Sequence, residues 1–137
     1  MDKKTNRPSL DRLLHPDVLG RISLLAGLDR RELEELATQM QVRRYRKGEL
    51  VLIKGSASDA LMFLLAGSLQ AVDYTEDGKE IGLNLFTAGS FFGELSLIDG
   101  LPRSATIVAI EDSAVAFLPR RHALVLISGR PAVAEQM

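Results

Sequence analysis

The chain has 137 residues, of which 46% are hydrophobic and 26% charged, a balance typical of one globular domain. Its formal net charge of −1 provides no overall field that would attract nucleic acid or an anionic membrane. It contains no cysteine, which excludes a disulfide scaffold, a thiol nucleophile and a cysteine-ligated iron–sulfur cluster.

Residues 1–19 are predicted to form an N-terminal extension that is partly loose. Residues 1–9 are polar, contain Pro8 and lack the apolar core of a signal peptide. Apolar residues then recur irregularly from Leu10 to Leu25, which predicts one or two short helices broken at His15-Pro16. No apolar run in the chain reaches the ~18 residues that would span a membrane, so we expect a cytoplasmic protein without membrane contact.

The clearest helix is predicted from Asp29 to Met40. Asp29 is a favourable N-cap, and Glu32 stands at the third helical position, where it completes an acidic capping box. Apolar residues follow at spacings of three and four and form one stripe, while the glutamates lie mostly off it. The residues of the stripe are Leu33, Leu36, Ala37 and Met40.

After Met40 the sequence changes to short β-rich runs divided by glycine-containing turns. Turn signals at roughly 8–12 residue spacing predict seven or eight strands of a sandwich or barrel, and Asp77-Gly78 predicts a hairpin. Several runs are apolar at both alternating positions, which is typical of strands covered on both faces. The runs are residues 42–45, 50–53, 61–66, 69–74, 81–86, 104–110 and 114–118.

The domain is predicted to occupy residues 20–130 and to end in a short helix. Pro119 suits the first position of that helix, and Gly129 would stop it. Residues 131–137 are interpreted as the opening of a further C-terminal helix that is cut short.

The residues with the clearest chemistry lie between Phe91 and Thr106, in the stretch FFGELSLIDGLPRSAT. Gly93 permits a close approach of the backbone, and the residues after it could form a helical turn whose first amides would bind an anion. The guanidinium of Arg103 suits a phosphate, and the carboxylate of Glu94 suits a sugar hydroxyl. These residue types therefore predict a small ligand that carries both a phosphate and a sugar.

This stretch resembles the phosphate-binding cassette of cyclic nucleotide-binding domains. The resemblance rests on Phe92-Gly93-Glu94-Leu95-Ser96-Leu97 and Pro102-Arg103-Ser104-Ala105-Thr106, and it extends over about residues 20–137. Such domains occur in regulatory subunits of cyclic AMP-dependent protein kinase, in cyclic nucleotide-gated channels, and in bacterial regulators such as the catabolite activator protein and the fumarate–nitrate type. Glycines stand where the family has barrel turns, at Gly48, Gly55, Gly67 and Gly89.

The resemblance implies an eight-stranded jelly-roll barrel (a double-stranded β-helix) with N-terminal helices and a short C-terminal helix. It implies that Glu94 accepts from the ribose 2′-hydroxyl, that Arg103 pairs with the cyclic phosphate, and that nearby backbone amides surround the phosphate. Ser104 resembles the residue that the bacterial activators carry after the arginine. Those activators bind cyclic AMP, although cyclic GMP binders also carry a hydroxyl at this position. The implied ligand-binding residues are Phe92, Gly93, Glu94, Leu95, Ser96, Arg103, Ser104 and Ala105.

The resemblance further implies a non-enzymatic cyclic nucleotide sensor, forming part of a bacterial transcription regulator, with no resident cofactor. A homodimer would form through a C-terminal helix mostly absent from this chain, and DNA would be bound only through a further domain. One departure is Lys54-Gly55-Ser56, where the family often has Glu-Gly-Asp; we expect this segment to form a turn that does not touch the ligand.

Three alternatives compete with a nucleotide site. Glu94 and Arg103 could be a surface ion pair worth under ~1 kcal/mol, or the fold could be a degenerate scaffold for dimerisation or for another phosphate ligand. A metal-dependent enzyme on a similar barrel would need clustered histidines, and His15 and His122 lie far apart in the sequence. The basic residues 43–47 could bind nucleic acid, but a solvated strand edge is the favoured interpretation.

Overall fold

Eight strands form two antiparallel sheets in the computed structural model, which describes residues 10–56, 60–93 and 105–130. One sheet has the order β1-β8-β3-β6 and the other β2-β7-β4-β5. Two four-stranded sheets with this connectivity form a jelly roll, so the predicted fold class is confirmed. Strands β1 to β8 are Gln41–Tyr45, Leu50–Leu52, Ala60–Ala66, Ser68–Tyr74, Glu80–Thr87, Phe91–Phe92, Thr106–Ala109 and Ser113–Pro119.

The hairpin between β4 and β5 forms at the predicted Asp77-Gly78 turn. Thr75 donates its N–H to the Lys79 carbonyl at 2.8 Å, and the Gly78 N–H donates to the Thr75 carbonyl at 2.9 Å. Glycine is suited to this turn because φ at Gly78 is +85°. The hairpin aligns Ser68 with Thr87 and Tyr74 with Glu80, with a bulge near the middle of the ladder.

Strand β8 lies between β1 and β3 and joins distant parts of the chain. Tyr45 of β1 pairs with Ser113, and Gln41 pairs with Phe117. On its other side, β8 pairs with β3 from Ala60 to Ala66. Strand β1 is therefore an edge strand, as the basic composition of residues 43–47 predicted.

Strand β3 is buried on both faces because it separates two layers of core. Leu61, Phe63 and Leu65 pack with the helices, while Met62 and Leu64 pack between the two sheets. Side chains of successive strand residues point to opposite faces, so a continuous apolar run can fill both layers. We call these the outer layer, beneath the helices, and the inner layer, between the sheets.

The helices that cover the outer layer confirm the predicted breaks and caps. The segment before α3 contains two four-residue helices and a 3-10 turn at Ser23–Leu25. The Asp29 carboxylate accepts from the Glu32 N–H at 2.8 Å, and the Glu32 carboxylate accepts from the Asp29 N–H at 3.0 Å, forming the predicted capping box. Helices α1 to α4 are Leu10–Leu13, Pro16–Leu19, Arg30–Thr38 and Arg120–Gly129.

Both ends of the predicted domain pack against the outer layer. Leu13 and Leu19 are buried there, although they lie in the predicted extension, and the boundary at residue 20 stays a prediction. Pro119 occupies the N-cap of α4, one residue earlier than predicted, and Arg130 after that helix forms an ion pair with Glu32. Residues 131–137 lie outside the described residues. None of the helices in the described ranges has the length and apolar character needed to cross a bilayer.

Candidate ligand-binding site

The segment predicted to bind the ligand connects β6 to β7. Phe92, the last residue of β6, is 4% exposed and lies in the inner layer. At the other end Ala105 packs against the same layer, and Thr106 begins β7 with 8% of its surface exposed. The two ends of the segment are therefore anchored in the same core, between the two sheets.

Phe92 is fixed by contacts on two sides. Its backbone pairs with Met62 of β3, and the centroid of its ring lies 5.4 Å from that of Phe86, with the rings tilted by 42°. This aromatic contact connects the end of β6 to β5, in the opposite sheet. Gly93 follows with a φ of +90°, a conformation that side-chain-bearing residues rarely adopt.

The described residues include three of the eight predicted site residues. Phe92 and Gly93 lie at the entrance of the segment, and Ala105 lies at its exit. Phe92 is a core residue of the inner layer. The other five predicted site residues lie outside the described residues, so their roles stay predictions. These five are Glu94, Leu95, Ser96, Arg103 and Ser104.

The turn at Lys54-Gly55-Ser56 is connected to the exit of the segment. The Lys54 N–H donates to the Thr106 hydroxyl oxygen at 3.0 Å, and the Lys54 ammonium lies 3.6 Å from the Asp73 carboxylate of β4. The sequence predicts that the Lys54-Gly55-Ser56 turn does not touch the ligand, and it does not indicate the contact with Thr106. Because the contact spans more than fifty residues, no local pattern indicated it.

Strand β5 carries exposed apolar side chains. Ile81, Leu83 and Leu85 are 47%, 53% and 60% exposed, although their strand also contributes Phe86 to the contact with Phe92. Strand β5 is the last strand of its sheet and is bulged, and the register shift turns Ile81 and Leu85 to opposite faces of the strand.

The basic residues of β1 are arranged as a solvated edge. The Arg43 guanidinium lies over the Phe117 ring, 4.8 Å from its centroid, so part of its charge is directed to an aromatic face. Burial raises the pKa of Tyr45 above its ordinary value, against a lowering effect of its hydrogen bond with Arg43.

Within residues 10–56, 60–93 and 105–130, no three His, Asp or Glu side chains cluster in a way that could hold a metal ion.

Comparison with known proteins identifies the family. The family model for the cyclic nucleotide-binding domain matches residues 42–130, from β1 to the end of α4. The chain belongs to this family. The match covers both sheets and the whole connection between β6 and β7. The stretch that resembles a phosphate-binding cassette therefore lies inside the matched cyclic nucleotide-binding domain.

Relatives of this cyclic nucleotide-binding domain include bacterial regulators and kinase subunits. A cyclic AMP receptor protein of Thermus thermophilus is 33% identical over 114 residues, which are 83% of this chain and 53% of the relative. The regulatory subunit of a cAMP-independent protein kinase A from Trypanosoma brucei superposes with a TM-score of 0.77 at 28% identity, covering 88% of this chain and 44% of that one. The N-terminal domain of a transcriptional regulator from Streptomyces coelicolor superposes with a TM-score of 0.72 at 30% identity, covering 87% and 83%.

The chain spans only part of the curated relatives that it matches. It covers 53% of the Thermus thermophilus receptor protein and 23% of a cAMP-dependent protein kinase regulatory subunit from Debaryomyces hansenii. The domain is therefore shared by proteins whose remaining parts differ.

Proposed function

We propose that this cyclic nucleotide-binding domain is a regulatory module that binds cyclic AMP and serves as the sensor part of a bacterial transcription regulator. The observation that carries the proposal is the position of the cassette sequence in the fold. The motif begins at Phe92, at the end of β6, and its last residues lead into β7 at Thr106. The cassette sequence therefore occupies a connection whose two ends are both anchored between the sheets.

In the proposed complex, the two ends of the cassette bind different parts of the ligand. Arg103 pairs with the charged phosphate oxygen, and the backbone amides after Gly93 and around Ser104 and Ala105 donate further hydrogen bonds to it. Glu94, which is acceptor-only when ionised, accepts from the ribose 2′-hydroxyl. A cyclic phosphate and a ribose hydroxyl are common to cyclic AMP and cyclic GMP, so these residues select the class of ligand.

The base is proposed to lie on the face of β5 that carries Phe86. Ile81 lies on this face by its register with β4 and is 47% exposed, and the faces of a purine are apolar while its edges are polar. Strand β5 is joined to the start of the cassette by the contact of Phe86 with Phe92. Preference for cyclic AMP is proposed from Ser104, which this chain shares with the bacterial activators that it resembles.

The proposed output follows the architecture of the bacterial relatives. The similarity to the Thermus thermophilus receptor protein and to the N-terminal domain of the Streptomyces coelicolor regulator supports a role in transcription. In that arrangement a helix after α4 forms the homodimer, and DNA is bound by a further domain. The chain itself supplies the ligand-dependent signal.

Calorimetric titration with cyclic AMP and cyclic GMP tests the proposal directly. We expect cyclic AMP to bind, and Arg103→Ala to weaken binding by about 1.5–3 kcal/mol, the range for a hydrogen bond to a charged group. Arg103→Lys keeps the charge but loses bidentate geometry, so its affinity for cyclic AMP should lie between those of the wild type and Arg103→Ala. Arg44→Ala is the matched control, because it removes an exposed arginine from β1. An unchanged affinity of Arg103→Ala would contradict the assignment of the phosphate site.

The second candidate is a domain that keeps the fold but responds to another ligand or serves as a dimerisation scaffold. Its support is the Trypanosoma brucei relative, whose kinase is described as cAMP-independent although its regulatory subunit shares this fold. Absence of binding by either nucleotide would favour this candidate. Thermal unfolding provides an independent measurement, since a ligand that binds only the folded state raises the melting temperature.

A further inference from the structure

The hydroxyl of Thr106 continues the connection between β2 and β7 beyond the end of their backbone ladder. The ladder pairs Leu50 with Val108 and Leu52 with Ile107. One residue further along β7, the Thr106 side chain accepts the N–H of Lys54 at 3.0 Å. The side chain therefore holds the turn after β2 at the point where backbone pairing has ended.

Thr106 is also held from the opposite side. Its backbone pairs with Val72 of β4, and the residue after Val72 is Asp73, whose carboxylate lies 3.6 Å from the Lys54 ammonium. Thr106 is 8% exposed, and within the described part of the chain its hydroxyl accepts the Lys54 N–H. Three segments, from β2, β4 and β7, thus meet at the first residue of β7.

This junction lies directly after the phosphate-binding end of the cassette. Arg103 and Ser104 precede Thr106 by three and two residues. Three residues of extended chain span at most ~10 Å, so Arg103 and Ser104 are tethered within that distance of Thr106. Catalytic and binding groups lose much of their effect when the backbone that carries them is displaced by about 1 Å.

We infer that Thr106 is a positioning residue for the phosphate-binding end of the cassette, and that the Lys54-Gly55-Ser56 turn acts on ligand affinity through it. This inference rests on the proposed function, because it concerns the affinity of the same site. It gives the turn a role in binding without contact to the ligand. Thr106 acts through the position of Arg103 and Ser104.

The substitution that isolates this role is Thr106→Val, which keeps the branched shape and removes the acceptor. Lys54 is exposed, so its N–H would turn to water and the turn would loosen while the core keeps its packing. Thr106→Ser restores the acceptor, and Thr106→Ala serves as a second acceptor-less variant if valine is not tolerated. Ser113→Ala is the matched control, because Ser113 is 6% exposed, belongs to β8 in the other sheet, and its hydroxyl accepts the Ser68 N–H at 3.1 Å.

Hydrogen exchange of the ligand-free chain measures the contact itself. In Thr106→Val the Lys54 amide should exchange about two- to tenfold faster than in the wild type, the factor that corresponds to one hydrogen bond. Thr106→Ser and Ser113→Ala should leave that amide protected. Exchange of Lys54 at the wild-type rate in Thr106→Val would overturn the inference at its first step.

Calorimetric titration measures the consequence for binding. Thr106→Val should weaken cyclic AMP and cyclic GMP by the same factor, about two- to tenfold, since both share the phosphate and the ribose. Thr106→Ser should restore affinity, and Ser113→Ala should lower the melting temperature without changing affinity. Equal losses in Thr106→Val and Ser113→Ala, or no loss in Thr106→Val, would overturn the inference. If the wild type binds neither nucleotide, the proposed function fails and the positioning role fails with it, while the exchange result still reports whether Thr106 holds the turn.

Discussion

Gly67 connects β3 to β4 as a single residue, and its replacement by alanine should be far more costly than the same change at other turns. Its φ is +92°, and a Cβ there would overlap the Ser113 hydroxyl and the Asp112 carbonyl of the neighbouring chain segment. Gly89 has a φ of +98°, but no atom lies within 4 Å of the position of its Cβ. The two glycines share a backbone conformation and differ in the space around it.

The difference gives a magnitude for each variant. A left-handed conformation costs a residue with a Cβ about 1–2 kcal/mol, which is the whole effect expected for Gly89→Ala. Overlap with well-packed neighbours costs about 1–3 kcal/mol more, because the Ser113 hydroxyl also holds the Ser68 N–H and cannot move freely. Gly67→Ala should therefore lose about 2–5 kcal/mol of the free energy of unfolding.

Urea unfolding monitored by circular dichroism measures both variants under the same conditions. The result that supports the reasoning is a midpoint for Gly67→Ala clearly below that of Gly89→Ala, with similar slopes. Equal midpoints would mean that the β3–β4 turn relaxes away from Ser113, and the packing argument would be refuted. Gly67→Ala combined with Ser113→Ala then reports whether the hydroxyl is the main obstacle, since the double variant should lose less than the sum of the two changes.

Two further predictions concern the core and the helix cap. Phe63 is fully buried in the outer layer, so Phe63→Ala should cost about 3–5 kcal/mol in urea unfolding. Leu85→Ala, at a side chain that is 60% exposed, should cost under about 0.5 kcal/mol, and a comparable loss at both positions would argue against the two-layer core. Asp29→Ala should cost about 1 kcal/mol by removing the cap of α3, while Asp29→Asn keeps an acceptor and should retain most of the stability. No difference between these two variants would contradict the role of the carboxylate as a cap.

Local chemistry allowed the capping box, the hairpin turn and most strands to be predicted from the sequence. Asp29 and Glu32 are three residues apart, and the partners of a capping box are always local, so spacing alone identifies them. Asp77-Gly78 determines its hairpin in the same way, because the turn needs a residue that tolerates positive φ. Strand limits moved by one or two residues, as at β2, which ends at Leu52.

Features that depend on distant parts of the chain could not be predicted. Strand β6 has two residues, too few for any periodicity, and it exists because Phe91 and Phe92 pair with β3. The exposure of β5 depends on its place at the end of a sheet. Its sequence, IGLNLF, has a pattern that a covered strand would also have. For the candidate site, the motif indicated the class of ligand, whereas the contact of Thr106 with Lys54 required the fold.

The pairing of β1 with β8 determines when the barrel can close during synthesis. Tyr45 pairs with Ser113, 68 residues later, so at ~5–20 residues per second β1 waits on the order of 3–14 s for its partner strand. During that interval both edges of β1 are unpaired and could associate with other nascent chains. Arg43 and Arg44 lie within the strand, and like charges on identical edges repel each other. Repulsion between these arginines therefore disfavours pairing of two unfinished chains along β1.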